Sequence, residues 1–260
     1  MRAPDALRAA RAQRRTLGDT AHRPWPVPDG PWVMGQSWLD LLFRHVPVDP
    51  DALRPLVPAS LALDLFDGAA WISVAAFEIR GTRLRGLPPV PRLSRFPELN
   101  VRTYVTHGDR PGIWFFSLDA PGALAVATAR RVYRLPYFRA AMAIEHDGPW
   151  VAFRSDRVDR RGPRVRFAAR YRATGPPRPA APGSLDAWLV ERYRLYAVDP
   201  RGRVLSGDIH HGPWSLRAAE AEIAADTTLA GLGMVAAGNP VLHVTGRQDV
   251  VFWPPRRAGG

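Results

Sequence analysis

The chain has 260 residues and a formal net charge of +12, from 36 basic residues, every one of them arginine, against 24 acidic ones. Without cysteine there are no disulfides, thiolate nucleophiles or thiolate metal sites, and without lysine there is no side-chain amine for a Schiff base, since a guanidinium is not a usable nucleophile. The arginines are scattered among acids and apolar residues with no nucleic-acid-binding motif, no apolar run approaches the roughly 20 residues that cross a bilayer, and no hydrophobic leader opens the chain, so a soluble cytoplasmic protein with neither a nucleic-acid nor a membrane partner is expected.

Residues 1–30 hold arginines at 2, 8, 11, 14, 15 and 23 and then the Pro-rich PWPVPDGP. They are expected to be disordered because they offer little apolar surface to bury, with a fraying helix around residues 6–10 as the alternative. A single domain is expected over 31–257. Trp32 to His45 is apolar and suits a strand or a short helix; periodicity does not decide. Asp49 can cap a short helix, with Pro50 at its first position and Pro58 stopping it. Leu61–Phe66, the turn Asp67-Gly68 and Ala70–Ile79 read as a hairpin, and 83–97 as a Pro-rich loop. Leu99–Thr106 is a strand with two distinct faces. After a Gly/Pro turn, Ile113–Leu118 is a buried strand. Asp119 is expected to cap an Ala-rich helix running to about Tyr133, which Pro136 ends.

Residues 149–172 read as two strands joined by DRRGP, and Ser184 as the cap of a short amphipathic helix. Tyr193–Val198 and Arg203–Leu205 flank the turn Asp-Pro-Arg-Gly. Glu220 and Glu222 alternate with apolar residues as on a half-buried strand, Asp226 is placed as the cap of a helix to Met234, and Val241–Thr245 and Val250–Trp253 close the fold as strands. No internal repeat is present. Many strands, few short helices and no βαβ rhythm define an α+β protein, mainly antiparallel, in a sheet or barrel.

The candidate site centres on Glu98, Arg102 and Tyr137. In a cavity Glu98 would have a raised pKa suited to acid–base work; alternatively it pairs with Arg102, its same-face neighbour four residues on. Tyr137 can donate to a ligand carbonyl or carboxylate, or it simply fills space. Arg130 can grip an anion bidentately or lie on a helix surface. Trp114 and Phe138 are candidates to line or plug the pocket. His210 and His211 point to opposite faces of a strand, so they cannot share a metal there, though one can face a pocket. No metal or other cofactor is expected. Ser73, Ser117 and Ser184 lack a nucleophile-elbow context, and no phosphate-binding glycine loop occurs.

The segments FRHVPVDPDALRPLVPASLALDLFDGAAWISV, ELNVRTYV, GIWFFSLDAPGALAVATARRVYRLPY, PGSLDAWLVERYRLY, IHHGPW and VLHVTGRQDVVFWP resemble the YqjF-like family, a bacterial domain of unknown function, over roughly residues 32–255. That family is distantly similar to acetoacetate decarboxylase. The resemblance runs through Ala52–Asp64, the strand glutamate Glu98, and the helix with Arg130 that leads to Pro136. In the decarboxylases the corresponding proline precedes the Schiff-base lysine; here Tyr137 and Phe138 follow it. The resemblance implies a decarboxylase-like β-barrel with an internal cavity, an active-site role for Glu98, and none of the Schiff-base chemistry. Three functions are consistent with it: a cavity that binds a carboxylate or hydrophobic metabolite; an enzyme (lyase, isomerase or hydrolase) with Glu98 as general acid/base; or a non-catalytic interaction protein, forming a homo-oligomer, whose barrel is filled by its own aromatic side chains.

Overall fold

A computed structural model describes residues 3–90 and 94–259. Among them the chain forms the strands β1 (Met34–Val48), β2 (Ala62–Leu63), β3 (Ala70–Leu84), β4 (Arg95–His107), β5 (Arg110–Ala120), β6 (Tyr137–Asp147) and β7 (Trp150–Arg157). They continue with β8 (Arg166–Ala173), β9 (Arg178–Pro179), β10 (Arg194–Val198), β11 (Val204–His211), β12 (Ser215–Asp226), β13 (Val241–Phe252) and β14 (Arg256–Arg257). The α-helices are α1 (Ala3–Arg15), α2 (Pro50–Leu53), α3 (Ala123–Val132) and α4 (Leu185–Val190). None of these helices is long and apolar enough to cross a membrane.

The sheet is mostly antiparallel, as the strand patterning predicts; β5 pairs in parallel with β6 and with β10. Its pairings return on themselves. One circuit runs β13–β1–β3–β4–β5–β10–β11 and back to β13. A second leaves β5 through β6, β7, β8 and β12 and also returns to β13. Strands β1, β3 and β4 belong to both circuits, so both of their faces are covered. This is why Ala70–Ile79 is buried at every position and lacks the polar–apolar alternation of a half-exposed strand. One face carries Leu41, Phe43, Ala75 and Phe77, which pack with Phe115 and Leu118. The other carries Leu42, Val74, Ala76 and Leu99, which pack with Phe153, Phe167 and Tyr171.

Local chemistry explains most of the boundaries. Asp49 caps α2 through the Asp51 amide, Pro50 opens that helix, and Ser184 caps α4 through the Ala187 amide. The stretch from Trp32 that periodicity left undecided is strand β1 from Met34 onward. The hairpin expected around Asp67-Gly68 shrinks to a single bridge between Phe66 and Ala69, because β2 pairs with β4 instead. The loop expected over 83–97 is shorter: β3 extends through Leu84 and β4 begins at Arg95, while 91–93 lie outside the described residues. The two strands expected at 241–245 and 250–253 are one, β13, and the helix expected after Asp226 is a 3-10 turn at Ala230–Leu232.

Two corrections concern charged residues. Asp119 caps no helix; it lies in β5, fully buried, and receives Arg157, while Gly122 occupies the start of α3. The N-terminal segment is not disordered throughout, since Ala3–Arg15 is helical and α1 packs on β1, β3 and β13. Part of what holds it is polar, which apolar-surface reasoning overlooks. Gln13 is 0% exposed; its amide donates to the Gly81 carbonyl at 3.1 Å and its oxygen accepts from Arg83 Nε at 2.8 Å. Gly35 makes the room, because a Cβ there would sit 2.4 Å from Gln13 Oε1.

Candidate functional site

Strand β4 alternates Glu98, Asn100, Arg102 and Tyr104 with Leu99, Val101, Thr103 and Val105, and all eight are buried. Period-two geometry sends the first set to one side of the sheet and the second to the other. The register places Glu98 beside Phe77, Asn100 beside Ala75 and Arg102 beside Ser73. Glu98, Asn100 and Arg102 therefore face the interior of the first circuit, where they line a cavity of about 340 Å³. The rest of the wall is mostly apolar: Trp38, Leu41 and Phe43 from β1, Phe77 from β3, Phe115 and Leu118 from β5.

Tyr137 enters the cavity from the start of β6, in register with Leu118. Its hydroxyl donates to Glu98 Oε2 at 3.0 Å. Burial raises the Glu98 pKa to about 7, with Asp119 adding to the rise and the contacts from Tyr137 and Asn100 opposing it. The Tyr137 phenol is pushed well above its usual 10 by burial and by the adjoining carboxylate. Near neutrality the pair therefore holds Glu98 between its acid and base forms beside a phenol that keeps its proton.

Arg102 and Glu98 make no ion pair; the structural-pair alternative is not realised. The guanidinium, 9% exposed, lies over the Phe43 ring at 5.2 Å, and its Nε and Nη2 are buried without an acceptor. The neighbouring cations differ. Arg192 donates to Asp64 Oδ2 at 2.5 Å, and Arg194 grips Asp208 at 3.0 and 3.3 Å. Arg102 is thus the cavity's uncompensated positive charge among the described residues.

The other sequence candidates lie elsewhere. Trp114 alternates with Ile113 and Phe115 and so faces away, into an open cleft of about 530 Å³ that also contains Arg130. This cleft and the cavity lie back to back, sharing Phe115 and Leu135. Arg130 acts on the site through the backbone, donating from Nη1 to the Tyr137 carbonyl at 2.8 Å. Phe138 turns opposite to Tyr137 and packs beneath Arg157, 4.3 Å from its ring centroid. His210 and His211 take opposite faces, as strand geometry demands, and neither lines the cavity. His210 Nε2 lies 2.7 Å from the Thr16 carbonyl, and His211 sits between the Gly212 and Arg192 carbonyls with burial lowering its pKa to about 3. Among the described residues no group of three or more metal-ligating side chains converges. Sequence reasoning missed Asn100 and Tyr104, although the alternation from 98 to 104 already puts them on one face with Glu98 and Arg102.

Structural comparison places this arrangement in the acetoacetate-decarboxylase-like fold. The enduracididine biosynthesis enzyme MppR, solved in complex with pyruvate, superposes with a TM-score of 0.60 at 14% identity, covering 90% of this chain and 92% of MppR. An acetoacetate decarboxylase-like enzyme from Sphingomonas wittichii RW1 gives 0.56 at 17% identity over 92% and 98% of the two chains. The acetoacetate decarboxylase of Legionella pneumophila gives 0.58 at 12% identity over 92% and 93%. In sequence, the model of the DUF2071 family, described as an uncharacterized conserved protein, matches residues 35–249. The uncharacterized protein YqjF of Bacillus subtilis (strain 168) is 47% identical over 232 residues, 89% of this chain and 95% of YqjF. The chain belongs to the DUF2071 family.

Proposed function

We propose that the circuit β13–β1–β3–β4–β5–β10–β11 is a barrel wall around a binding cavity for a small, largely apolar carboxylate. Arg102 takes the carboxylate, and Glu98 with Tyr137 exchanges a proton with the ligand's other end. The observation that carries this is the uncompensated Arg102 guanidinium in an otherwise apolar cavity. A buried charge without a partner costs several kcal/mol, and an anionic ligand is the partner that offsets it. The Tyr137–Glu98 hydrogen bond, with Glu98 titrating near neutrality, supports proton transfer over simple storage of the ligand. The cavity volume suits a compact metabolite. It argues against an interior plugged by the protein's own aromatics, since Trp114 and Phe138 face elsewhere. MppR is solved with pyruvate, itself a small carboxylate. With no lysine in the chain, a comparable molecule here is held without a Schiff base.

The test is ligand-observed NMR and calorimetry with a panel of short mono-carboxylates and their methyl esters. Free acids are expected to bind and esters not. Arg102→Gln should weaken binding by roughly 10- to 100-fold, the value of a charge-assisted hydrogen bond of about 1.5–3 kcal/mol. Glu98→Gln should leave affinity near wild type while stopping solvent deuterium exchange into the bound acid. Equal binding of acids and esters, or an Arg102→Gln variant that binds as well as wild type, would overturn the assignment.

A further inference from the structure

Behind Arg102 the sheet carries a second set of polar residues that the cavity does not use. His45 of β1, Ser73 of β3 and Arg102 of β4 occupy one rung of the sheet, since His45 pairs with Ser73 and Ser73 with Arg102. Tyr104 follows two residues on, fully buried, with its hydroxyl 3.0 Å from His45 Nδ1. The phenol also lies close enough to the Arg102 guanidinium to offset part of what burial costs that cation. A guanidinium can only donate, so the phenol turns its oxygen toward that cation and its proton to His45 Nδ1. That requires an imidazole with a free Nδ1 lone pair. His45 meets the requirement: burial, Arg102 and His243 hold its pKa well below 6.5, so the ring is neutral.

We infer that Tyr104, oriented by His45, is a positioning residue that keeps the Arg102 guanidinium at its own end of the cavity and away from Glu98. The two groups are four residues apart on one strand face, roughly 13 Å along the backbone, a gap that extended arginine and glutamate side chains can nearly close. In a buried, mostly apolar site, attraction between a free guanidinium and a carboxylate favours closing it. Instead, Glu98 is held by Tyr137 and Arg102 interacts with Tyr104. The arrangement keeps a cation and a proton-exchanging carboxyl apart so that a ligand can lie between them. In that respect the inference rests on the function proposed above.

The experiment reads Glu98 directly, with no ligand present, by carbon-13 NMR titration of a glutamate-labelled sample in which the Glu98→Gln variant assigns the signal. Tyr104→Phe keeps the ring and removes the hydroxyl; the freed Arg102 should then approach Glu98 and lower its pKa by about 1 unit or more. His45→Leu should lower it likewise. His45→Asn, whose side-chain oxygen offers an acceptor near the position of Nδ1, should restore the wild-type titration. A purely structural role for Tyr104 would change the melting temperature and leave the Glu98 titration in place. That result in both Tyr104→Phe and His45→Leu overturns the inference. Carboxylate affinity, measured separately, should fall about 10-fold in Tyr104→Phe, as for loss of a positioned charge-assisted contact. If wild type binds no carboxylate but Tyr104→Phe still moves the Glu98 titration, the positioning role stands and the binding assignment falls.

Discussion

The two faces of strand β4 are equally buried and chemically opposite. Leu99 and Val101 enter apolar clusters, Leu99 meeting Phe153, Phe167 and Tyr171. Glu98, Asn100 and Arg102, one position out of phase, line a cavity. The same backbone therefore supports a packed core on one side and a cluster of buried polar groups on the other, Arg102 among them without an acceptor. The difference separates where this chain holds its stability from where it bears a buried polar cost. Packed apolar faces reward every methylene, whereas a buried guanidinium without an acceptor is a standing cost that only a function or a ligand justifies.

The largest effect should come from breaking the apolar side. Phe153 is 0% exposed and meets Phe167 edge-on with ring centroids 6.2 Å apart. Phe153→Ala should lower the unfolding free energy by about 3–5 kcal/mol through lost transfer energy and the cavity left behind. Because β4 is shared by both interiors, this variant measured by chemical denaturation asks whether they are coupled. If the Glu98 titration is unchanged in the folded fraction, the wall is rigid enough to isolate the site.

The cavity side should respond to pH rather than to volume. Glu98 titrates near 7 when folded against an ordinary 4.5, so at intermediate pH the folded chain binds a proton that the unfolded chain does not. Its contribution is complete below about pH 4.5 and lost as pH rises through 7, a loss of about 3 kcal/mol. Comparing wild type with Glu98→Gln across that window isolates it, because the buried histidines, whose depressed pKa values act in the opposite sense, are common to both proteins. Parallel stability curves for the two would contradict the raised pKa.

How far this contrast can be read from sequence follows from the strand itself. The alternation from Glu98 to Val105 marks a two-faced strand, but period two cannot say whether its polar face meets solvent or a cavity. That depends on the β5, β10 and β11 strands closing over it, which is long-range information. The largely apolar run Ala70–Ile79 was legible as a strand for the opposite reason, being covered on both sides. Trp114 was misplaced because a β-bulge beside Val101 and Arg102 shifts the phase of β5: Ile113 and Phe115 face the cavity before it, Leu118 and Ala120 after it. Asp119 read as a cap because an Asp with a Pro in the turn after it, here Pro121, commonly opens a helix, and nothing local reveals Arg157 across the sheet. Strand β6 escaped notice altogether, since its residues are mostly exposed or half-buried and carry little apolar signal. Glu98 was found by type and by the family resemblance, and Arg102 by its spacing from Glu98; Tyr104 was not, because its value lies in His45, which comes from another strand.

The outer face offers the smallest and most local probe. Toward its far end, the face of β1 and β3 that elsewhere bears Leu42 and Val74 carries Gly35, Ser37, Gly81 and Arg83, and there α1 replaces apolar packing with Gln13. Gly35→Ala puts a methyl group where Gln13 Oε1 sits, and this flexible side-chain end can withdraw at the cost of its bonds to Arg83 and Gly81. The expected loss is about 1–2 kcal/mol, with faster amide exchange confined to α1. Gln13→Ala should give a similar loss, and Gly35→Ala added to it almost none, since the side chain the methyl opposes is already gone. Additive losses would mean that Gly35 serves the strand pairing itself, and that α1 is held by contacts other than Gln13.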